Sequence, residues 1–290
     1  VTGLRTVHTG PLSLVQDLGR IGHLRSGVGV SGAADTSALR LANRLVGNPD
    51  SAAGIEVLMG GLEIVAERSV TMSVTGAPAQ AYLDSTPVGH ASVIHVRPGQ
   101  TVRLGYAPIG VRVYVAARGG IAVPEILGSR STDTLSGIGP PPLRPGDLLP
   151  IGPAPAHYSA VDLAPVPPVP GGTLDITVLF GPRERYFVDP DVLTRGEWIV
   201  SAESDRVGIR LDRSGSEQPL RRTDQRELPT EGMVVGSIQV PPSGQPVVFL
   251  ADHPITGGYP VIGVVTAADV NRLAQARPGQ HLRFVRGVRS

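Results

Sequence analysis

The chain has 290 residues, enough for one large domain or two moderate ones, each with a sizeable core. Its 26 basic and 25 acidic side chains are spread along it and leave a net charge of +1, which excludes the dense basic surface of a nucleic-acid binder. It contains neither cysteine nor lysine, which excludes thiol nucleophiles, cysteine-bound zinc, disulfides, Schiff bases, a Walker A loop and covalently attached biotin.

Every basic residue is therefore arginine. Any phosphate or carboxylate must be met by guanidinium, backbone N–H or hydroxyl groups, and the planar guanidinium grips such oxyanions with two hydrogen bonds at once. No segment approaches roughly 18 consecutive apolar residues and the first residues form no apolar signal core, so a soluble, cytoplasmic protein without a membrane partner is expected. The 37 glycines and 28 prolines, set among many Val and Thr and few aromatics, predict short strands joined by tight turns.

In chain order, residues 10–34 read as a loop with short extended pieces. Asp35 or Thr36 then caps a short helix with Ala38, Leu39, Ala42, Leu45 and Val46 on one face, closed by Gly47 and Pro49. Gln16, Asp17, Arg20, Ser31 and Asp35 either converge on a ligand at that helix N-terminus or belong to a loop folded on itself, with Asp35 serving only as cap. Residues 54–121 are β-patterned throughout, as seven runs separated by Gly, Pro or Asp-Ser-Thr turns, which argues for a sandwich or barrel. In residues 122–150, Arg130 stands among Ser129, Ser131 and Thr132, ahead of Asp133. That is either an oxyanion clamp or a solvated loop.

Residues 153–170 are proline-rich and read as an extended linker between an N-terminal domain (1–152) and a C-terminal one (171–290). In the latter, Arg183 to Leu193 is helical in part. The Glu203-Ser204-Asp205-Arg206 group is either catalytic or a self-paired turn. A Pro-Pro-Ser-Gly turn (241–244) joins two short β-runs, and the loop from Asp252 to Pro260 follows. This loop offers a carboxylate, the His253 imidazole, the Thr256 hydroxyl, a Gly pair and the Tyr259 phenol, either as a site or as a surface loop satisfying its own backbone. Thr266 to Asp269 opens a last helix over 270–276. Arg-Pro-Gly recurs at 97–99, 144–146 and 277–279, each time before a β-run, and predicts three type II turns. The seven histidines show no metal-binding spacing, and no Gly-x-Ser-x-Gly marks a nucleophile.

The segments 15–35, 48–61, 127–132, 203–211 and 236–260 together, in this order, resemble the allophanate hydrolase subunit 2 family, and the match spans nearly the whole chain. The family includes one component of an ATP-dependent 5-oxoprolinase and is similar to the carboxyltransferase region of urea carboxylase. The resemblance implies two β-rich domains, the second a cyclophilin-like barrel. It implies a hetero-oligomer with a homologous subunit 1 partner, the B subunit of the oxoprolinase, together with a third, or A, subunit. The complex would use ATP to open a small cyclic amide. Two alternatives are a carboxyltransferase served by biotin on a separate partner, and a non-catalytic regulatory subunit. Lactam opening needs cationic clamps and a group that handles a proton. The clamp role falls to Arg20, Arg130 and Arg206, and the acid–base role to Asp252, His253 and Asp205. Substrate binding falls to Gln16, Ser31, Asp35, Ser131, Gln239, Thr256 and Tyr259, in a site completed at the junction with a partner. Asp133 and Pro254-Ile255 depart from the family pattern, and both lie in these site loops.

Overall fold

The computed structural model describes residues 3–213, 219–224, 226 and 228–288. The chain divides into two compact units, one of residues 1–21 and 31–169, the other of residues 22–30 and 170–290.

The first unit holds β1 (Gly3–Thr9), β2 (Ser13–Gln16), α1 (Thr36–Leu45), β3 (Gly54–Leu58), β4 (Leu62–Ala66), β5 (Val70–Gly76), β6 (Ala81–Leu83), β7 (Thr86–Val88), β8 (Val93–Val96), β9 (Thr101–Leu104), β10 (Arg112–Ala117) and β11 (Leu148–Pro150). They form two antiparallel sheets, ordered β11-β1-β4-β9-β6-β7 and β2-β3-β10-β5-β8. Leu4, Ile64 and Val102 of the first sheet share one core with Ile55, Val57, Met72, Val113 and Val115 of the second. The other face of the second sheet is covered by α1, whose Leu39, Ala42 and Val46 pack with Tyr114 and Ala116. Alternate β10 side chains thus serve two cores, which is why all six of its residues are buried. The helix forms where the sequence predicts it. The Asp35 carboxylate accepts from the Ala38 N–H at 3.0 Å, and Gly47 takes the left-handed φ of +71° after the last turn.

Residues 153–169, expected as a linker, form no helix or strand beyond the isolated bridge of Leu163 to Ser92, and they are tied to this unit. The Val93 N–H donates to the Asp162 carbonyl and the Ala164 N–H to the Ala91 carbonyl, and the Arg118 guanidinium donates to the carbonyls of Pro155 and His157. Unpaired backbone along β8 gives a proline-rich segment something to pair with.

The second unit holds β12 (Leu174–Phe180), β13 (Trp198–Val200), β14 (Gly208–Arg213), β15 (Glu231–Gly232), β16 (Ser237–Gln239), β17 (Val247–Phe249), β18 (Thr256–Gly257), β19 (Val261–Val265), α2 (Ala267–Leu273) and β20 (His281–Arg286). Seven of these strands close a barrel in the order β12-β19-β16-β17-β14-β13-β20, with β12 and β20 parallel. The expected mainly β architecture with a C-terminal barrel and few short helices is what the chain adopts. Trp198 is fully buried in the barrel, its Nε1–H donating to the Leu193 carbonyl at 2.9 Å and the Arg213 guanidinium lying 3.9 Å from its ring centre. The helix α2 starts three residues before the predicted position. Thr266 is its N-cap residue, and Asp269 in its first turn accepts the Thr177 N–H at 2.8 Å.

The three Arg-Pro-Gly turns share one construction. In each, the residue after glycine donates its N–H to the arginine carbonyl and its side chain accepts the arginine N–H, and Gly99, Gly146 and Gly279 all have positive φ.

Candidate functional site

In the first unit, the buried strand β2 ends at Gln16 and delivers Asp17 into the loop of residues 129–132. Asp17 Oδ1 accepts from the Gly19 N–H at 2.8 Å, Ser129 Oγ at 2.7 Å and Ser131 Oγ at 2.5 Å, and Oδ2 accepts the Arg130 N–H at 2.6 Å. Four donors occupy about the full acceptor capacity of a carboxylate. Asp17 is therefore the hub around which the Ser-Arg-Ser loop folds. Ser131 Oγ also accepts the Asp17 N–H at 3.0 Å, so its hydroxyl is engaged with the frame. The Arg130 side chain turns away to the Val123 carbonyl at 2.8 Å and Glu125 at 2.7 Å. Arg130 is thus an ion-paired, partly exposed side chain, not a clamp pointed among the hydroxyls.

The same loop presents two adjacent carbonyls. Gln16 Nε2 donates to the Thr132 carbonyl at 2.8 Å, Ser31 Oγ donates to it at 3.3 Å, and Arg20 Nη2 donates to the Ser131 carbonyl. Gln16 and Arg20 are 0% and 1% exposed. Each is only half satisfied: Gln16 Oε1 and Arg20 Nε and Nη1 have no hydrogen-bond partner. Buried polar atoms are otherwise almost always paired, so a glutamine acceptor and two guanidinium nitrogens left open, on side chains held by carbonyls one residue apart, are an exception that calls for a partner. Ser31 carries a φ of +55°, a strained conformation for a serine and one that clusters at functional loops.

Asp35 is placed differently from the expectation of ligand contact. Its carboxylate caps α1 and accepts the Ser37 hydroxyl at 2.6 Å, while its N–H donates to the Tyr114 hydroxyl at 2.8 Å. That hydroxyl donates to Glu56 Oε2 at 2.7 Å, which also accepts the Ala34 N–H at 3.0 Å, and Arg112 lies 3.5 Å from Glu56 Oε1. Burial, then the charges of Glu56 and Asp35, push the Tyr114 phenol well above its ordinary value, so it stays a neutral donor.

In the barrel unit Asp205 of the acid–Ser–acid–Arg group closes a turn on the local backbone, while Arg206 reaches out of it. Asp205 Oδ1 accepts the N–H groups of Val207 at 2.8 Å and Gly208 at 3.1 Å. Arg206 Nε and Nη2 grip the two oxygens of Asp252 at 2.8 and 3.0 Å, with the side chains 5% and 0% exposed. The expected clamp and the expected base therefore neutralise each other, and both act as frame. They hold the start of the next loop, where the Asp252 N–H also donates to the Arg206 carbonyl at 3.0 Å.

Beyond that anchor, His253 Nδ1 lies 2.8 Å from the Pro254 carbonyl. A carbonyl only accepts, so Nδ1 carries the hydrogen in this contact. The ring stacks on Phe249 at 5.9 Å. Of the three acid–base candidates, His253 is the one whose side chain, among the described residues, is neither in an ion pair nor closing a turn through a carboxylate. The rest of the loop is pinned by pairing of β18 with β15, placing Thr256 at the surface and Gly257 against Gln239, whose Nε2 is 2.5 Å from where a Cβ would sit. Gln239 Nε2 also donates to the Tyr259 carbonyl at 3.4 Å.

Sequence reasoning missed Arg222. It is buried, 5.8 Å from the Tyr259 ring, with Nε and Nη1 unpartnered. Nothing in the run Leu220-Arg221-Arg222-Thr223 separates it from the exposed Arg221. The backbone bridge between Phe187 and Arg222 turns one arginine inward and its neighbour outward.

Among the described residues no cluster of His, Asp and Glu is suited to a metal ion, and no helix is long and apolar enough to cross a membrane. Comparison with known proteins decides the family: the model of the carboxyltransferase domain, subdomain A and B, matches residues 26–286. The chain belongs to this family. It is 38% identical to the C subunit of the 5-oxoprolinase of Escherichia coli strain K12 over 287 residues, covering 97% of this chain and 90% of that one. With the C subunit of the Haemophilus influenzae 5-oxoprolinase the identity is 36% over 281 residues, 93% and 86% of the two chains. The crystal structure of the urea amidolyase of K. lactis superposes with a TM-score of 0.91 at 27% identity, over 99% of this chain but 19% of that much longer one.

Proposed function

We propose that this member of the carboxyltransferase family is the C subunit of a 5-oxoprolinase, in which it binds the amide of 5-oxoproline during ATP-dependent opening to glutamate. The observation that carries this reading is the pair of open groups at Gln16 and Arg20. A lactam presents an acceptor oxygen and a donor N–H on adjacent atoms. The Arg20 guanidinium supplies donors for the oxygen and Gln16 Oε1 accepts the N–H, both held from carbonyls one residue apart. Near-full-length similarity to two proteins named as the C subunits of 5-oxoprolinases supports this amide over others.

ATP would transfer its terminal phosphoryl group to the amide oxygen and release ADP. Water then adds to the activated carbon, and the ring C–N bond breaks as the nitrogen takes a proton. A second water hydrolyses the resulting acyl phosphate to glutamate and phosphate. Arg20 balances the negative charge carried by the phosphorylated oxygen. The proton that the departing nitrogen must gain is supplied by an acid of the assembled complex. The remaining groups come from the homologous B and the third, A, subunits. The test is glutamate release from 5-oxoproline and ATP by the three co-expressed chains. Turnover should vanish when this chain is omitted and when Arg20→Gln replaces it. An assembled, inactive wild-type complex sinks the proposal.

A second reading rests on the likeness to urea amidolyase. Urea offers the same oxygen and N–H pattern, so the chain could act as a carboxyltransferase whose biotin rides on a partner, since this chain has no lysine to carry it. Avidin capture of a biotinylated protein with the tagged chain would favour it.

A further inference from the structure

We infer that the first unit carries a second small-molecule site, for a phosphate-bearing ligand, at the β5–β8 edge of its five-stranded sheet. A cavity of about 430 Å³ opens there, lined by Arg68, Arg97 and Arg118 and bordered by Thr71, His95 and Tyr158. Its position follows from the strands. Arg68 precedes β5, Arg97 follows β8, and Val70 pairs with Val96 and Thr71 with His95, so the two ends bring both arginines to one place. Arg118 follows β10, the next strand in, and its N–H donates to the Thr71 carbonyl at 2.8 Å. Gln16 ends β2 and Arg20 follows it, at the other edge of the sheet. Three strand spacings of about 4.8 Å keep the two sites at least about 14 Å apart.

The charge balance argues for an anion. No Asp or Glu lines the cavity, and none of the three arginines pairs with a carboxylate among the described residues. Arg118 is buried, with Nη1 and Nη2 donating to the carbonyls of Val46, Pro155 and His157, while Nε has no partner. Carbonyl dipoles satisfy its hydrogens and the Tyr158 ring faces the guanidinium, but no carboxylate among the described residues supplies a full counter-charge for this buried cation. Arg68 Nε is likewise buried without a partner. Elsewhere in the chain the usual partner of arginine is a nearby carboxylate, as for Arg5, Arg44 and Arg283. Its absence three times in one cavity is a property of the site.

A phosphoryl group fits better than a carboxylate. It brings nearly two negative charges and three acceptor oxygens, against one charge and two oxygens. The Thr71 hydroxyl and the His95 ring, 3.4 Å apart, add hydrogen-bonding capacity at the wall. The volume lies within the range of small-ligand pockets, so an organic group has room beside the phosphate. The Tyr158 ring, 3.7 Å from the Arg118 guanidinium, offers it a flat apolar surface. With a net charge of +1 and no basic stripe beyond the cavity, a small molecule suits the site and a nucleic-acid strand does not.

Calorimetric titration of the intact protein with inorganic phosphate, AMP and adenosine tests this site. Phosphate and AMP should bind and adenosine should not. Arg97→Gln, at an exposed position, and Arg68→Gln, at a half-buried one, should each weaken binding about tenfold with unchanged melting temperature, and the His95 NMR signals should shift on phosphate addition. Tighter binding of AMP identifies a phosphate ester as the ligand, and equal binding identifies free phosphate. Arg20→Gln should leave phosphate binding intact, so this site and the amide site stand or fall separately. Failure of the wild-type protein to bind either phosphate compound, or binding that survives the Arg68→Gln/Arg97→Gln double substitution, overturns the inference.

Discussion

Replacing Asp252 by alanine strands a buried guanidinium. In the folded barrel Arg206 makes two charge-assisted hydrogen bonds to Asp252, at 2.8 and 3.0 Å, with the carboxylate wholly screened from water. Removing one partner of such a pair costs about 3–5 kcal/mol, because the remaining charge stays buried and unpaired. For a unit of this size that is a drop of roughly 10–20 °C in melting temperature. Substituting both residues by apolar ones (Arg206→Met with Asp252→Leu) removes the stranded charge and should recover most of the loss. Thermal melts and urea titrations of Arg206→Met, Asp252→Leu and the double variant form a mutant cycle that isolates the pair. Turnover by the assembled complex, measured at a temperature where each variant is folded, supplies the second axis. The reasoning is refuted if Asp252→Ala melts within about 2 °C of the parent while turnover disappears. The carboxylate would then be a chemical group and not part of the frame.

Three further outcomes follow from the geometry. Tyr114→Phe removes the hydroxyl that links the Asp35 N–H to Glu56, and chemical denaturation should register a loss of about 1–3 kcal/mol. Because that phenol is held well above its ordinary value, ultraviolet titration should show one of the six tyrosines ionising only as the protein unfolds in alkali. Burial alone would raise the Asp269 carboxyl, but hydrogen bonds from Thr177 and Arg272 outweigh it and hold the group below its ordinary 3.8. Its contribution is therefore complete above about pH 4 and is lost as the pH falls through the lower folded value. Asp269→Asn should cost stability at pH 7 and converge on the parent in strong acid, whereas a constant gap at all pH values would contradict this. Gly146→Ala meets no atom within 4 Å but must hold a φ of +93°, so its cost should be strain alone, about 1 kcal/mol by urea melt.

Local patterns were legible in the sequence. The Asp35 cap, the α1 stripe and the Gly47 stop depend on neighbours within a turn, and the structure places the helix there. The Arg-Pro-Gly turns were readable for the same reason, as were the β-runs from Gly54 onward. What stayed hidden are pairings across long separations. Asp17 meets Ser131 across 114 residues, and Arg206 meets Asp252 across 46. Periodicity carries no information about such contacts, so polar residues in suggestive clusters read as chemistry when several are spent on one another. Arg130 and Asp205 are the clearest cases: each has a partner within five residues that consumes its capacity. The reverse error concerns Arg222, which looks like any surface arginine until the fold turns it inward. The proline-rich segment of residues 153–169 misleads in a third way. Its composition predicts an extended chain but not the edge strand that it pairs with.

The central claim is that Gln16 and Arg20 receive the amide. The most direct measurement is glutamate release from 5-oxoproline and ATP by the assembled complex carrying Arg20→Gln, paired with a melt of the isolated chain. Arg20 is buried with two donors unpaired and no ion-pair partner among the described residues, so losing its charge should leave the melting temperature unchanged or higher. Turnover should fall by at least about a hundredfold, the size expected for removing a donor at a developing oxyanion. Full turnover with Arg20→Gln in an assembled complex would contradict the account, and so would a collapse in stability that accompanies the loss of activity.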